Sequence, residues 1–596
     1  MKKRIIILFI LLLVSKLVLG QVIIGNNDEL KGYKAIPQES VFIHFNSSLL
    51  FTGEYLYYSL YCFNNQTKSL TDLSKVAYVE LIGKDNQAVF LHKIKLDNGK
   101  GMGDFFIPVT VSSGNYKLVA YTNWMKNSNP SKVFQTDINI INPYQSNPST
   151  VQKNKDSKVD SLASKSPVSN TTRSKIIEDP KENEGFLIME TDQENYKNRS
   201  KVNVQFRVSN TNKMGNGNYS ISVRKMNGIP KPKSESSSEF LKALSNKMVQ
   251  QTENIGSQVE LPELRGELFS GKAVPLNTDL NVDNLKVAIS IPGDNYFFEI
   301  VHTNEKGEFF VNIDKNYPGD QMYLQVLGDH RSEYKIETIE HQNITNLNLQ
   351  FNEFKIDPSW KNEIIEQSVH NQIESAYFEF KPDSILLNAP DKMLDNFKRE
   401  TYNLDDYTRF PTLRETFIEI VKNVSTKKME KDTYGFEIQG YEFNANTGIS
   451  PLVLVDGIVV QNINNLLDYK ASKVKEISIF RDQFVIGMKA YQGIIEIKTI
   501  SGTYENIEND PTIFKTSIFK PQIRKNYFTQ VYDEASQNSR IPDDRLQLLW
   551  IPHLELQNAS NVEFYTSDVD GEFEISFEGF TKDGKPVSLK RTFFVD

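Results

Sequence analysis

The chain has 596 residues, a formal net charge of −8 and a single cysteine, Cys62. Its basic residues are dispersed, which excludes the concentrated positive surface of a nucleic-acid-binding protein. One cysteine excludes an intramolecular disulfide and a cysteine-based zinc site.

The first residues have the pattern of a secretory signal peptide. Basic residues at 2–4 precede an apolar run at 5–14, and Val18 and Gly20 occupy positions −3 and −1 of a cleavage site. We therefore predict a signal peptide at 1–20 and export by the general secretory route. No cysteine follows the apolar run, which excludes lipid attachment there. In the other 576 residues (596 minus 20) no apolar run approaches the roughly 18 to 20 residues of a membrane span.

A chain of this length is expected to form three to five domains. Residues 21–143 consist of short aromatic and β-branched runs separated by Gly, Asn or Ser, such as "EYLYYSLYCF" and "GNYKLVAYT". This pattern is typical of a β-sandwich. Residues 144–184 are rich in Ser, Lys, Asn and Pro, so they bury too little apolar surface to offset the entropy of ordering. They are predicted to form a flexible linker.

Two further β segments follow the predicted linker. Residues 185–260 are predicted to form a second β-sandwich with a short helical insertion in "SSSEFLKALSNKMVQQ", whose apolar residues have helical spacing behind a serine run. Residues 261–351 are predicted to form a small antiparallel sandwich. In it an Asn-Glu-Lys-Gly turn after Thr303 joins two aromatic-rich strands.

The pattern changes to α plus β in residues 352–502. A helix is predicted to begin near Pro358, and a second helix is predicted in "FPTLRETFIEIVKNV". Along one face of the first helix lie Ile365, Val369, Ile373 and Ala376. "PLVLVDGIVV" then indicates a buried β-hairpin with an Asp-Gly turn at Asp456.

Residues 503–596 return to the β pattern and are predicted to form a C-terminal β-sandwich. The expected fold class is therefore mainly β and multidomain, with several antiparallel β-sandwiches and one small α+β domain.

No motif for catalysis, cofactor binding or metal binding stands out. A nucleophile elbow, a P-loop and a dinucleotide-binding glycine pattern are absent from the sequence. The histidines are scattered singly, without metal-ligand spacing: His44, His92, His302, His330, His341, His370 and His553. We therefore predict no catalytic, cofactor-binding or metal-binding residues, and a protein that is not an enzyme.

Individual polar residues have simple structural explanations. His370 lies in the predicted helix, where a solvated or locally hydrogen-bonded histidine is expected rather than a ligand. "TSDVDGEF" at 566–573 is faintly similar to a calcium loop but lacks its later ligands, so a turn is expected. Asp456 is expected to shape its hairpin turn. Four charged residues could form ion pairs around the α/β part: Arg409, Glu415, Asp544 and Arg545.

The stretch "VFIHFNSSLLFTGEYLYYSLYCF" at 41–63 resembles the opening strands of macroglobulin-type sandwich domains. The matching residues are Val41, Phe42, His44, Gly53 and Glu54, whereas Asn46 stands where that family usually has Asp. "GMGDFFIPVTVSSGNYKLVAYTNWMKN" resembles the closing strands. Protease-trapping macroglobulins carry a thioester Cys-Gly-Glu-Gln motif, but Cys62 lies in "YCFN", so the trapping chemistry is absent.

"LRGELFSGKAVPL" through "HTNEKGEFFVNI" is similar to the carboxypeptidase-regulatory-like sandwich. Thr303, Gly307 and Phe309 match the hairpin of that family. The resemblance implies a structural module without chemistry of its own.

"PLVLVDGIVV", "VKEISIFRD" and "YQGIIEIKTI" resemble the plug domain of TonB-dependent outer-membrane receptors. A transport receptor also needs a 22-stranded barrel after the plug, but only about 95 residues follow Ser501. The α+β domain is therefore expected to be plug-like without plugging a barrel of its own. The matching residues are Pro451, Leu452, Val455, Asp456, Gly457, Val474, Ile477, Ile479, Gly493, Ile494, Ile495, Ile497 and Thr499.

The order of these modules resembles that of large envelope proteins of Gram-negative bacteria. It implies a non-enzymatic exported scaffold or accessory subunit of an outer-membrane complex, at the cell surface or the periplasmic face. The expected partner is an outer-membrane β-barrel protein or a large outer-membrane complex, with no nucleic acid, no cofactor and no membrane span of the chain itself. The alternative is a nutrient-uptake accessory protein that binds a small ligand or glycan directly.

Overall fold

The computed structural model describes sixteen stretches of the chain: 22–23, 32–128, 133–145, 187–208, 216–246, 258–293, 295–317, 319–339, 347–386, 394–429, 433–441, 448–487, 489–508, 510–533, 540–556 and 560–596. The predicted signal peptide and nearly all of the predicted linker lie outside them. The described residues are mainly β and form several mostly antiparallel sheets, which confirms the predicted fold class. No helix among them is long and apolar enough to cross a bilayer.

The strands are β1 (Val22–Ile23), β2 (Glu39–Phe45), β3 (Leu49–Phe51), β4 (Tyr55–Asn64), β5 (Ser69–Leu70), β6 (Val76–Ile82), β7 (Ala88–Lys95), β8 (Lys100–Phe106), β9 (Gly114–Tyr121), β10 (Phe134–Ile141), β11 (Leu187–Thr191), β12 (Asn195–Tyr196), β13 (Lys201–Val208), β14 (Gly217–Lys225), β15 (Gln258–Val259), β16 (Glu267–Pro275), β17 (Lys286–Ile291), β18 (Phe297–His302), β19 (Glu308–Ile313), β20 (Gln321–Val326), β21 (Tyr334–Ile339), β22 (Ser384–Ile385), β23 (Arg399–Asn403), β24 (Val424–Lys428), β25 (Tyr434–Ile438), β26 (Leu452–Val455), β27 (Ile458–Val459), β28 (Val474–Ile486), β29 (Lys489–Thr499), β30 (Ile513–Ser517), β31 (Lys525–Asn526), β32 (Gln547–Leu556), β33 (Ser560–Tyr565), β34 (Gly571–Thr581) and β35 (Pro586–Val595). The α-helices are α1 (Ser237–Asn246), α2 (Lys361–Ala376), α3 (Leu413–Glu419), α4 (Ile463–Leu467) and α5 (Glu505–Glu508).

The chain divides into two compact units. We call the first the larger unit; its segments are Ile23–Pro262, Asn346–Leu387 and Pro521–Asp596. We call the second the smaller unit; its segments are Met1–Val22, Glu263–Thr345 and Asn388–Lys520.

The larger unit begins with a sandwich built from β2 to β10. One sheet has the order β3-β10-β9-β6-β7, and the other joins β2, β4 and β5, with β8 also paired to β4. Strand β6 is buried along its whole length. The mostly apolar sequence "VAYVELI" fits this position because a strand covered on both faces has no side exposed to solvent, and its one charged residue, Glu80, is buried and accepts a hydrogen bond from Tyr121.

The second sandwich of the larger unit combines strands β11 to β14 with strands β32 to β35 from the C-terminal part of the chain. Its sheets have the orders β11-β13-β33 and β12-β35-β34-β14-β32. The division into separate sandwiches at 185–260 and 503–596 is therefore wrong, because β14 pairs with β32 on one edge and β34 on the other. Local sequence pattern identifies a strand but carries no information on a partner more than 300 residues away, which explains the error.

The smaller unit contains a sandwich, most of whose strands come from the segment 263–345. Its sheets have the orders β19-β16-β21 and β18-β17-β20-β30. Strand β30, from the segment predicted to be C-terminal sandwich, pairs with β20 from Gln321–Ser517 to Gln325–Ile513. This sandwich is thus completed from outside its predicted boundaries.

The rest of the smaller unit is an α+β domain around the sheet β23-β28-β29-β26-β27. One face of this sheet packs with α3 and α4 in a core that includes Leu413, Phe417 and Leu467. The other face shares a core with the neighbouring sandwich through Ala288, Phe298, Ile300, Leu452, Leu454, Phe480 and Ile494. Both faces of this sheet are therefore covered within this chain.

Helix α2 has its apolar face on the outside. The buried side chains are Gln367, Ser368 and Asn371. Ile365 and Val369, on the face that the sequence marks as apolar, are 51% and 47% exposed. The helix is held by apolar packing of Ile364 on a core cluster with Leu49 and Phe51 and by polar contacts. Gln367 Nε2 donates to Glu54 Oε1 at 2.6 Å, and the Tyr144 and Ser368 hydroxyls are 3.1 Å apart.

Candidate functional site

The macroglobulin-like motif residues of the first sandwich lie where it meets the second sandwich and α2. His44 is on β2, and Gly53 and Glu54 form the turn between β3 and β4. Gly53 has φ +93°, a conformation that favours glycine, and a Cβ placed there would lie 3.8 Å from Asn371 of α2. The motif therefore fits a junction between domains rather than a reactive centre.

Glu54 is the centre of this junction. Its buried carboxylate accepts hydrogen bonds from Phe51 N at 3.0 Å, Arg224 Nη2 at 2.7 Å and Gln367 Nε2 at 2.6 Å. These donors come from β3, β14 and α2. A buried charge is tolerated when it is paired and fully hydrogen-bonded, as it is here. One side chain thus joins three parts of the larger unit.

His44 makes a second contact across the same junction. Its Nδ1 lies 2.6 Å from Ser220 Oγ and its Nε2 lies 3.3 Å from Ser576 Oγ, both hydroxyls belonging to the second sandwich. Burial lowers the pKa of His44 to about 3, so the ring is neutral at pH 7. His92 is also buried, with the Tyr58 hydroxyl 2.8 Å from its Nδ1, and burial lowers its pKa to about 4.

A buried ion-pair network holds the segment before β32. Arg545 donates to Asp543 through Nε and Nη2 at 2.7 and 2.6 Å, and Tyr532 donates to the same carboxylate at 2.6 Å. Lys381 joins this group to Glu374 of α2 at 2.7 Å. Burial raises the pKa of Asp543, but the charge and hydrogen bonds of Arg545 outweigh burial and lower it to about 2. The Asp543 carboxylate is therefore ionised, and its role is structural.

Two polar residues that the sequence analysis singled out, His370 and Asp568, have partners within the larger unit. His370 Nδ1 lies 2.7 Å from Asp544 Oδ1, a partner 174 residues away in the sequence rather than a local one. Asp568, from the stretch faintly similar to a calcium loop, is paired by Arg199 through Nε and Nη2, each at 2.6 Å. The Arg199 guanidinium therefore already pairs with the Asp568 carboxylate, which a calcium ion would need as a ligand.

The four charged residues predicted to form ion pairs do not pair with one another. In the smaller unit Arg409 pairs with Asp405 at 2.6 Å, and Glu415 caps α3 by accepting from Thr412. In the larger unit Asp544 contacts His370, and Arg545 pairs with Asp543. Each of the four supports the local fold.

Asp456 shapes the hairpin turn between β26 and β27, with φ +51° followed by Gly457 at φ +81°. Its carboxylate is buried and accepts from Thr499 N at 2.8 Å and Thr499 Oγ1 at 2.7 Å. A Cβ on Gly457 would collide with the Tyr296 ring of the neighbouring sandwich. Asp456 therefore fastens the hairpin to the end of β29, and the turn is covered by its own chain.

We expect D456A to destabilise the smaller unit by about 2 kcal/mol, because it leaves the buried Thr499 amide without its acceptor. D456N is the matched control, since Asn tolerates the left-handed conformation and keeps one acceptor oxygen. Hydrogen exchange of peptides from β26 and β29 measures the difference. Equal protection in wild type and D456A would show that this contact is not stabilising.

A stack of aromatic rings runs from the core of the larger unit to its surface. Trp550 stacks on Tyr57 with ring centroids 6.0 Å apart, Tyr57 on Tyr55 at 5.5 Å, and Tyr55 on Phe378 at 5.9 Å. Successive ring planes differ by 23°, 15° and 14°. Trp550 is buried, whereas Phe378 is 48% exposed. One buried ring and two half-buried rings therefore lead to an aromatic side chain at the surface.

Two more exposed rings are connected to this end of the stack, one through Tyr55 and one through the backbone of the turn that holds Phe378. Phe106 is the cross-strand partner of Tyr55, with centroids 5.2 Å apart, and is 43% exposed. Phe380 follows in the 3₁₀ turn Phe378–Phe380 and is 65% exposed. We call Tyr55, Phe106, Phe378 and Phe380 the aromatic surface.

An ion-pair clamp fixes the strands behind the aromatic surface. Lys525 Nζ lies 3.0 Å from Asp104 Oδ2 and 2.9 Å from Asp383 Oδ2. Tyr527 donates to Asp104 at 3.0 Å, and its ring packs edge-on against Tyr57 at 4.9 Å. Burial lowers the pKa of Lys525, but its hydrogen bond to Asp383 and the charge of Asp104 raise the pKa overall, so the lysine stays charged.

No family model and no curated protein matches the chain. Among solved structures it is similar to Escherichia coli α2-macroglobulin activated by porcine elastase, with 8% identity over 94% of this chain and 44% of that chain and a TM-score of 0.22. The native conformation of E. coli α2-macroglobulin gives 10% identity over 97% and 40%, with a TM-score of 0.22. The E. coli adhesin FdeC gives 8% identity over 52% and 66%, with a TM-score of 0.15.

The chain spans less than half the length of the macroglobulin structures it matches. The strands and contacts described above define the class of protein as a multidomain β-sandwich protein. In its larger unit, buried polar side chains join the domains and aromatic side chains are exposed.

Proposed function

We propose that this chain is a non-enzymatic exported scaffold or accessory subunit of an outer-membrane protein complex, and that it contacts an outer-membrane β-barrel protein through the aromatic surface. The observation that carries the proposal is the set of neighbouring exposed rings of Phe106, Phe378 and Phe380. Aromatic side chains are enriched in protein interfaces, and clustered exposed apolar groups mark interaction sites.

The polar side chains of the larger unit support a structural role. Glu54, Asp543 and Asp568 are each engaged by a guanidinium within this chain. A catalytic acid or base needs a reactive atom within hydrogen-bond reach of a substrate position, whereas these carboxylates bind arginines that hold domains together.

The plug-like domain supports a scaffold rather than a transport plug. Both faces of its sheet are packed inside the smaller unit, one against helices and one against a sandwich. The proposed partner-binding surface is therefore in the larger unit. The predicted signal peptide at 1–20 supports export to the cell surface or periplasmic face.

Affinity capture of a tagged chain from solubilised envelope tests the proposal. We expect wild-type chain to recover an outer-membrane barrel protein and the triple variant F106A/F378A/F380A to recover at least tenfold less. V485A, which shortens a side chain that is 76% exposed in the smaller unit, is the matched control and should recover the wild-type amount. Equal recovery by the triple variant and the control would contradict the proposal.

The alternative is a nutrient-uptake accessory protein that binds a small ligand or glycan. The same exposed rings favour it, because an aromatic face can stack on an apolar sugar face. It predicts that the isolated chain binds oligosaccharides or peptides and that F106A/F378A abolishes this binding. Calorimetry on the purified chain, with no membrane protein present, distinguishes it from the scaffold.

A further inference from the structure

We propose that α2 is a self-association site, in which two copies of this chain pair through the apolar ridge of Ile365, Val369 and Ile373. This inference goes beyond the proposed function, because it concerns a surface and a partner other than the aromatic surface and the barrel protein. The starting observation is that α2 buries polar side chains and exposes Ile365 and Val369.

The three ridge residues are spaced by four, so they form one of the i±4 rows through which helices most commonly pack on each other. The row is symmetric about Val369, with Ile at both −4 and +4. In a two-fold pair with its axis at Val369, Ile365 of one copy meets Ile373 of the other, and Val369 meets Val369. A surface with this symmetry is self-complementary, as a two-fold interface requires.

Charge favours an antiparallel pair of α2 helices. Lys361 at the start of α2 and Glu379 just beyond its end are both exposed, so antiparallel pairing brings opposite charges together at both ends. Antiparallel helix dipoles also attract. Close to the axis, Glu366 is already neutralised by Lys225, whose Nζ lies 2.8 Å away. Two copies of this carboxylate therefore add little repulsion.

The size of the ridge sets the strength of the association. Three aliphatic side chains cover much less than the roughly 800 Å² per partner of a standard complex. We therefore expect a reversible dimer with a dissociation constant on the order of 100 µM.

Sedimentation velocity of the purified mature chain is measured at chain concentrations from about 1 µM to about 500 µM, which lie below and above the expected dissociation constant. We expect the sedimentation coefficient to rise towards that of a dimer for wild type and to stay monomeric for I365E/V369E. These two side chains are exposed, so the substitutions should leave the fold intact. V485E, at an exposed apolar position of the smaller unit, is the matched control and should dimerise as wild type does.

Charge reversal tests the antiparallel arrangement. K361E should weaken the dimer, and K361E/E379K should restore it. The inference is overturned if the wild-type chain is monomeric throughout, if I365E/V369E dimerises as wild type does, or if the double reversal fails to restore the dimer. Glu379 lies between Phe378 and Phe380 of the aromatic surface, so the I365E/V369E variant is the one that separates the two proposals. Its two residues lie outside that surface, so it should lose the dimer and still recover the barrel protein, and failure of this inference is distinguishable from failure of the proposed function.

Discussion

E54A is expected to destabilise the larger unit by about 3 to 5 kcal/mol, because it leaves Arg224 buried without its partner and removes the acceptor of Phe51 N and Gln367 Nε2. All three tryptophans, Trp124, Trp360 and Trp550, belong to the larger unit. Urea unfolding followed by tryptophan fluorescence therefore reports on this unit alone.

D72A is the matched control for E54A. Asp72 forms an exposed ion pair with Lys75 in the same sandwich, and exposed pairs contribute about 0 to 1 kcal/mol. We expect D72A to unfold close to wild type. If E54A and D72A shift the urea midpoint equally, Glu54 does not join the three parts of the larger unit in the way its hydrogen bonds indicate.

Acidification from pH 7 to pH 5 is expected to cost the larger unit about 2 kcal/mol for each of His44 and His92. Their pKa values in the folded chain are about 3 and about 4, below the ordinary value of 6.5. The unfolded chain therefore binds protons that the folded chain excludes, and protonation favours unfolding. The stability that the two neutral histidines contribute is fully present above pH 6.5 and is lost as the pH falls towards 4.

H44Q separates this effect from other titrations. Burial raises the pKa of Glu39 and of Glu578, and those groups act in the opposite sense, adding stability as the pH falls towards 4.5. We expect H44Q to be less stable than wild type at pH 7.5, yet to lose about 2 kcal/mol less between pH 7 and pH 5. An identical pH dependence in the two proteins would mean that His44 titrates normally in the folded state.

The sequence predicts the local features of this fold well. The hairpin around Asp456 follows from an Asp-Gly pair between apolar runs, and φ is positive at Asp456 and at Gly457. The helix α3 follows from apolar spacing, with Leu413 and Phe417 buried as that spacing implies. These features depend on residues within a few positions of one another, so they are readable from one sequence.

The features that the sequence does not reveal depend on distant contacts. Strand β14 pairs with strands more than 300 residues away, and no local pattern records that choice. In α2, Gln367 and Ser368 make hydrogen bonds with remote partners, and Ile365 and Val369 lie outward. The aromatic surface needs Tyr55, Phe106 and Phe378 from separate segments. In the sequence this surface shows only as an abundance of aromatic residues, which does not tell whether a given ring lies in a core or on the surface.

Site-specific photocrosslinking in the native envelope tests most directly whether the aromatic surface contacts a barrel protein. A photoreactive phenylalanine analogue placed at Phe378 stays on the exposed end of the ring stack, and the same analogue at Val485 reports on an exposed position of the smaller unit. We predict one discrete crosslinked product at position 378, containing an outer-membrane barrel protein, and none of that product at position 485. No product at 378, or the same products at both positions, would contradict the account.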